Sequence, residues 1–248
     1  MDNFMGYKGR DVEISMLDND LCLVVACDSC GAIGAKDLDL LKVPSTLVGN
    51  MTARAVLLEV MCTGAVPKIM TVAISAELDP TGNEILKGVR KELAKSNFTH
   101  LPLAISTEKN FTTRQTGLGI SVTGTCNTND LKISKSRPGN HVYCLGLPKV
   151  GEEVLNPDDP EIITAHALGK LLPLPGVNDI VPVGSKGILV EAGQLAENTE
   201  CNFKINTNTF LDLKKSAGPS TCIIFTSTVQ QDKTLFGKLP LSCIGTLI

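Results

Sequence analysis

Residues 49–67 read Gly49-Asn50-Met51-Thr52-Ala53-Arg54-Ala55-Val56-Leu57-Leu58-Glu59-Val60-Met61-Cys62-Thr63-Gly64-Ala65-Val66-Pro67. Together with Val48, the residues Met51, Ala55, Leu58 and Cys62 fall three or four apart, which is the period of one helix face. A long, mostly apolar helix over Gly49–Thr63 is therefore expected. Thr52, Glu59 and Thr63 project in nearly one direction from it, and Asn50 and Arg54 form a second pair four apart. A carboxylate in so apolar a helix is costly unless paired or metal-bound. An exposed Glu59, or one paired with a nearby lysine, is the competing reading.

Upstream, the strand Leu21–Cys27 runs into Cys27-Asp28-Ser29-Cys30-Gly31-Ala32-Ile33-Gly34-Ala35-Lys36. A carboxylate at a strand end supplies a hard oxygen for Mg²⁺. Gly31 and Gly34 let backbone N–H groups approach phosphate oxygens, and Lys36 adds a point charge. The Gly-Lys-Ser/Thr end of a P-loop is missing. A plain glycine turn with a solvated Asp28 is the alternative. Downstream, Ser106-Thr107-Glu108-Lys109-Asn110 follows the strand Leu101–Ile105 and again puts a carboxylate at a strand end. The polar Thr112–Gln115 stretch after it is either a cover over a ligand or an ordinary surface loop. Asn178-Asp179 through Gly184-Ser185-Lys186-Gly187 enters a helix, where free N–H groups favour anions. Ser185 is there expected as the cap.

Further strands are expected at Ile69–Ser75, Leu118–Cys126, Val142–Leu147, Cys222–Thr226 and Leu241–Leu247. A second helix carries Ile85, Leu86, Val89 and Leu93 behind a capping box, Thr81-Gly82-Asn83-Glu84. A third starts with Asp159 and Pro160 and runs through Leu172; a fourth starts near Ser185 and carries Ile188 to Leu195. The order reads β-α-β-α-β-β, a polar break over Asn127–Asn140, then β-α-α-β-α-β-β. It predicts two α+β domains, 1–138 and 139–248.

The chain has 248 residues with 23 basic and 26 acidic side chains, and no block of like charge points to nucleic acid. No apolar run is long enough to span a membrane, and Met1–Arg10 lacks the apolar core of a signal peptide. Nine cysteines accompany no Trp, two Tyr and seven Phe. A cytoplasmic location with reduced thiols is expected. Cys27-Asp28-Ser29-Cys30 has the spacing of a redox or zinc half-site, but no second ligand pair is spaced to complete a zinc site. His100, His141 and His166 stand apart from one another. The Asn-X-Thr matches at Asn50, Asn97 and Asn110 read as chance.

Taken together, these segments resemble the aminoimidazole ribonucleotide synthetase (PurM-like) superfamily, which also holds thiamine-monophosphate kinase and selenophosphate synthetase. Asp28 to Lys36 is similar to the family's Asp-Gly-x-Gly-x-Lys segment. Gly49 to Pro67 is similar to its helix ending in Gly-Ala-x-Pro, with Glu59 where the family carries a magnesium-binding Asp. Ser106-Thr107-Glu108 falls at its Gly-Gly-(Glu/Asp)-Thr turn without the glycines, and Gly119–Gly124 is similar to the strand that follows. Asp179 to Gly187 resembles the second-domain segment, and Asp18-Asn19-Asp20 echoes an acidic pair of the thiamine kinase branch.

The resemblance implies a two-domain α+β fold. Its N-terminal mixed-sheet domain forms a dimeric barrel, and its C-terminal domain is an α/β sandwich. It implies a homodimer with ATP near the subunit contact. Magnesium would lie on Asp28, Glu59 and Glu108, with Asp28 and Glu108 catalytic. The nucleotide would meet Gly31, Gly34, Lys36, Asn50, Arg54, Gly184 and Ser185. Val181 to Gly187 looks like the alpha-ribazole kinase group of cobalamin salvage, which implies phosphoryl transfer from ATP to the 5′-hydroxyl of a small nucleoside. With so few aromatic residues, aliphatic walls would have to hold its base. Another acceptor, a non-catalytic nucleotide binder and a thiol-redox protein are the competing readings.

Overall fold

The computed structural model describes residues 6–18 and 20–248. Residues 1–5 of the stretch read for a leader, and Asn19 of the acidic echo, lie outside the described residues. In chain order the elements are β1 Val12–Met16, β2 Leu21–Gly31, β3 Ile33–Gly34, β4 Leu41–Lys42, α1 Ser45–Cys62, β5 Val66–Glu77, α2 Asn83–Lys95, β6 Leu103–Glu108 and β7 Gly117–Asn127. There follow β8 His141–Leu145, α3 Ala165–Leu171, β9 Val177–Pro182, α4 Ile188–Glu197, β10 Phe203–Ile205, β11 Ile223–Ser227 and β12 Leu241–Leu247.

The first sheet has the order β1-β2-β7-β5-β6. β2 pairs antiparallel with β7 along its whole length, from Leu21↔Asn127 to Gly31↔Gly117, and β6 adds parallel to β5. Alternation on these strands sends Val24, Ala26, Met70, Val72, Ile120 and Val122 inward. They pack on α1 through Ala53, Val56, Leu57 and Val60, and on α2 through Ile85, Leu86, Val89 and Leu93. The two helices lie unusually close. A Cβ on Gly49 would sit 2.1 Å from the Ile85 carbonyl oxygen, and one on Gly88 2.0 Å from that of Thr46. Only glycine fits either position. The opposite face of the sheet carries small and uncharged residues such as Val25, Cys27, Ser29, Ser121, Thr71 and Ala73. It is open: the five strands form no closed barrel within one chain.

The second sheet, β10-β12-β8-β11-β9, is antiparallel throughout and covered on both faces. Tyr143, Leu145, Ile223 and Phe225 pack towards α3, while Val142, Cys144, Ile224 and Ile244 pack towards α4. Leu58, Met61 and Cys62 of α1 join the α3 layer. α1 therefore belongs to two cores. That explains why it reads as apolar nearly all round, the mark of a buried helix. The N-terminal segment is strapped across as well, since Arg10 Nη2 donates to the Ile180 carbonyl at 2.6 Å.

Several expected elements differ. The helix placed at 159–172 begins only at Ala165, where the Thr164 hydroxyl caps the Ala167 N–H at 3.1 Å. Asp159 instead accepts from the Glu161 N–H and pairs with Lys149. The next element is a strand, β9, where a second consecutive helix was expected. It pairs only with β11, so Pro182 sits on an edge that needs no N–H. The capping box does not form: the Thr81 hydroxyl donates to Glu77 at 2.6 Å, and α2 has no side-chain cap. Nor does Ser185 cap α4, whose N-cap is Gly187 at φ 83°. The short strands β1, β3, β4 and β10 are additions.

Candidate active site

α1 lies between the two sheets, and some of the residues singled out by the sequence lie beside it. Glu59, near its C-terminal end, enters a cleft of about 100 Å³ also lined by Arg10, Asp11, Gly184, Ser185, Lys186 and Glu191. The loop 183–187 is drawn in by a positive-φ turn at Gly187, where a Cβ would lie 2.9 Å from the Lys214 and Lys215 backbone. The structure thus brings Glu59 together with Gly184 and Ser185. It adds Arg10, Asp11, Lys186 and Glu191. Lys186 stood within the quoted Gly184–Gly187 motif without a role, Arg10 and Asp11 carried no signal, and Glu191 read as an ordinary residue of an amphipathic helix.

The cleft crowds three carboxyls, Asp11, Glu59 and Glu191, against Arg10 and Lys186. Burial pushes the Glu59 carboxyl up to about 8; Arg10 opposes this, and Asp11, Glu191 and Asp28 add to it. Burial and Asp11 raise Glu191 to about 7 against the pull of Lys186 and Arg10. Arg10 is 6% exposed, and its Nε has no hydrogen-bond partner among the described residues. Opposite charges are thus concentrated in a small cleft, where a divalent ion or a polar substrate group meets strong fields.

Beside it lies a slot of about 490 Å³, the space for a flat base. Its walls are aliphatic: Ile33, Leu41, Val43, Leu47, Val48, Met51, Val154, Leu155 and Pro219. Asp28, Cys30 and Thr52 supply its polar side chains. No aromatic residue lines it, as the composition led one to expect. Asp28 lines this slot, and its charge is felt by Glu59 in the cleft, as that of Asp11 is felt at Asp28. Burial raises its carboxyl, partly offset by the Ser29 N–H, which donates at 2.8 Å. A Cβ on Gly31, at the slot, meets nothing within 4 Å, so the protein itself leaves room for a ligand to approach the backbone there.

The other expected residues are placed elsewhere. Gly34 packs on Thr116 and Asp39, which a Cβ would meet at 2.4 and 2.8 Å. Lys36 donates to both Glu77 oxygens at 2.6 and 2.8 Å and to the Thr113 carbonyl, so the chain itself occupies its ammonium. Burial alone would raise Glu77, but Lys36, Thr81 and backbone donors outweigh it and hold the carboxyl at about 2. Asn50 and Arg54 face α2: Arg54 grips Glu92 through Nε and Nη2 at 3.0 and 2.8 Å, and both side chains of this pair are fully buried. Glu108 accepts the N–H groups of Asn110 and Phe111, its own turn, at 2.6 and 3.3 Å.

Asp28, Glu59 and Glu108 therefore do not gather in one chain, and no group of three or more His, Cys, Asp or Glu among the described residues is placed to hold a metal ion. Magnesium commonly takes only one or two carboxylates beside substrate phosphates. Asp28 at the slot, with Glu59 in the adjoining cleft, fits that smaller donor set. Cys27 and Cys30 lie on one extended strand, Cys27 outward and exposed. Three strand residues span about 10 Å, too far for a disulfide.

Two sheets packed about one shared helix make a mixed α+β fold, and the comparisons show that this fold is PurM-like. The chain is similar to thiamine-monophosphate kinase from Aquifex aeolicus at 12% identity, covering 96% of this chain and 88% of that one with a TM-score of 0.64. It is similar to the Stenotrophomonas maltophilia enzyme of the same name at 15% identity, covering 96% and 88%, TM-score 0.62. It also matches Thermotoga maritima PurL complexed with ATP at 15% identity and TM-score 0.59, over 98% of this chain but only 38% of that one. A thiamine-monophosphate kinase structure among these relatives holds AMPPCP and TMP. No family model matches the sequence, and no curated protein is similar to it. No helix among the described residues is long and apolar enough to cross a membrane.

Proposed function

We propose that this chain is an ATP- and magnesium-dependent kinase that phosphorylates a small alcohol, the 5′-hydroxyl of alpha-ribazole in cobalamin salvage. The observation that carries the reading is an aliphatic slot with Asp28 in its wall, together with a charged cleft lined by the Gly184-Ser185 loop and by Glu59, whose carboxyl feels the Asp28 charge. The slot suits a base with few polar edges. The loop and Gly31 suit phosphate oxygens. Phosphoryl transfer asks chiefly for positioning and charge neutralisation. In the reaction the 5′-oxygen bonds to the γ-phosphorus, the bond from that phosphorus to the β-bridging oxygen breaks, ADP leaves, and the hydroxyl proton passes to a carboxylate or to water. Asp28, with Glu59, would hold magnesium, which supplies neutralisation of the phosphate charge. Lys186 and Arg10 steady anionic groups in the cleft. Lys36, Asn50, Arg54 and Glu108 are given no step in the single chain.

The open outer face of the first sheet, mostly small and uncharged apart from Glu13 beside Val25, supports pairing with a second copy. The domain division at 1–138 and 139–248 is part of the same reading. The test is labelled ATP with purified protein, Mg²⁺ and a panel of alpha-ribazole, thiamine monophosphate and formylglycinamidine ribonucleotide. Labelled ribazole phosphate with matching ADP is the expected result; its absence with alpha-ribazole removes the assignment. The engagement of Lys36 by Glu77 and the separation of the three carboxylates favour one alternative, a nucleotide-binding relative without turnover. It would be stabilised by Mg-ATP and yield no product on any acceptor.

A further inference from the structure

A separate cavity of about 310 Å³ lies between Arg54 on α1, Lys95 at the end of α2, and the α3 side of the second sheet. It shares no lining residue with the slot or the charged cleft. We propose that it is a second binding site, for the phosphoryl group of a small anion.

Its charge balance points that way. The two acids on its wall, Asp158 and Asp159, are already engaged: Lys91 and Lys95 hold the first, and Lys149 holds the second at 2.6 Å. Lys170 and Lys238 also line it, are exposed, and make no ion pair among the described residues. His166 stands one turn before Lys170 on α3. Beneath them Arg54 is fully buried, with Nε and Nη2 committed to Glu92 and Pro157, while Nη1 has no acceptor among the described residues. A buried guanidinium N–H without a partner is costly, and a ligand oxygen at this wall would relieve it. A guanidinium with two ammonium groups is the donor set that matches the several acceptor oxygens of a phosphoryl group. Ile162, Phe236 and Leu239 line the same cavity and offer apolar surface to an organic substituent.

The test is calorimetric titration of the full chain at low salt with pyrophosphate, and in parallel arms with inorganic phosphate and AMP. It is run on the wild type, on K170A/K238A and on the active-cleft variant S185A. Both lysines are exposed, so the double variant is expected to keep its melting temperature. Saturable binding of at least one probe is expected, weakened at least tenfold in K170A/K238A and unchanged in S185A. Preference for AMP over phosphate identifies an ester as ligand, and the reverse identifies the free ion. No saturable binding of any probe, equal binding in K170A/K238A, or loss in S185A alone overturns the proposal. None of these outcomes depends on kinase turnover.

Discussion

Arg54 and Glu92 meet across the α1–α2 interface as a two-point ion pair, Nε to Oε1 at 3.0 Å and Nη2 to Oε2 at 2.8 Å, with neither side chain exposed. The pair sits beside the glycine contacts that let the helices approach. Removing one charge leaves the other buried without its counterion. Glu92→Gln is therefore expected to destabilise the fold by about 3–5 kcal/mol. Urea unfolding measures this, and a loss below about 1 kcal/mol would mean the pair behaves like an exposed one.

Gly88→Ala tests the helix approach itself. Its new methyl would lie 2.0 Å from the Thr46 carbonyl oxygen and 2.9 Å from the Asn50 nitrogen. Backbone atoms cannot swing aside as a side-chain end can, so overpacking is expected to cost about 1–3 kcal/mol or more, despite the better helix propensity of alanine. Gly31→Ala, where a Cβ meets nothing, is the control and leaves the melting temperature nearly unchanged.

The Lys36–Glu77 contact sets an acid limit. Glu77 titrates at about 2 in the folded chain against an ordinary value of 4.5. Its folded value is depressed, so the unfolded chain binds the proton first. The stabilisation is complete above pH 4.5 and is lost as pH falls towards 2. Melting temperatures of wild type and Glu77→Gln should converge across that window. Parallel curves would show that Lys36 does not govern Glu77.

Asp28→Asn keeps the shape of the slot and removes the charge that Glu59 in the cleft feels. Turnover is expected to fall more than tenfold, which is about 1.4 kcal/mol, with the fold intact by circular dichroism. Cys30→Ser, beside it in the slot, should cost far less. Its thiol is pushed up to about 11 by burial and by Asp28 and Asp39, which makes it a poor nucleophile. Equal losses in the two variants would count against Asp28 as the charged group that matters.

The sequence made the inner faces of both sheets and the helix α1 legible, because alternation and helical spacing are set by burial. Its account of Asp159 and Thr81 failed for a single reason. Both have the chemistry of helix caps, yet a lysine ten residues before Asp159 and a glutamate four residues before Thr81 offered better partners. Lys36 and Arg54 failed in the same way: a cation beside a glycine-rich turn or on a helix face looks available until its carboxylate partner, 41 or 38 residues away, is known. Glu59, Gly184 and Ser185 were found singly. That they share a cleft depends on where β9 ends relative to α1, which local pattern does not encode.

α1 packs against the first sheet through Val56, Leu57 and Val60 and against the second through Leu58, Met61 and Cys62. The slot and the cleft that border it thus have a wall that neither half of the chain can carry away without tearing its own interior. Wide hinge motion would strip apolar surface on one side or the other. Entry and exit of ligands are left to the segments at the slot's rim, 150–155 and 218–219. Under the proposed kinase reading this predicts a cycle of moving loops around a fixed spindle, with both halves unfolding as one cooperative unit.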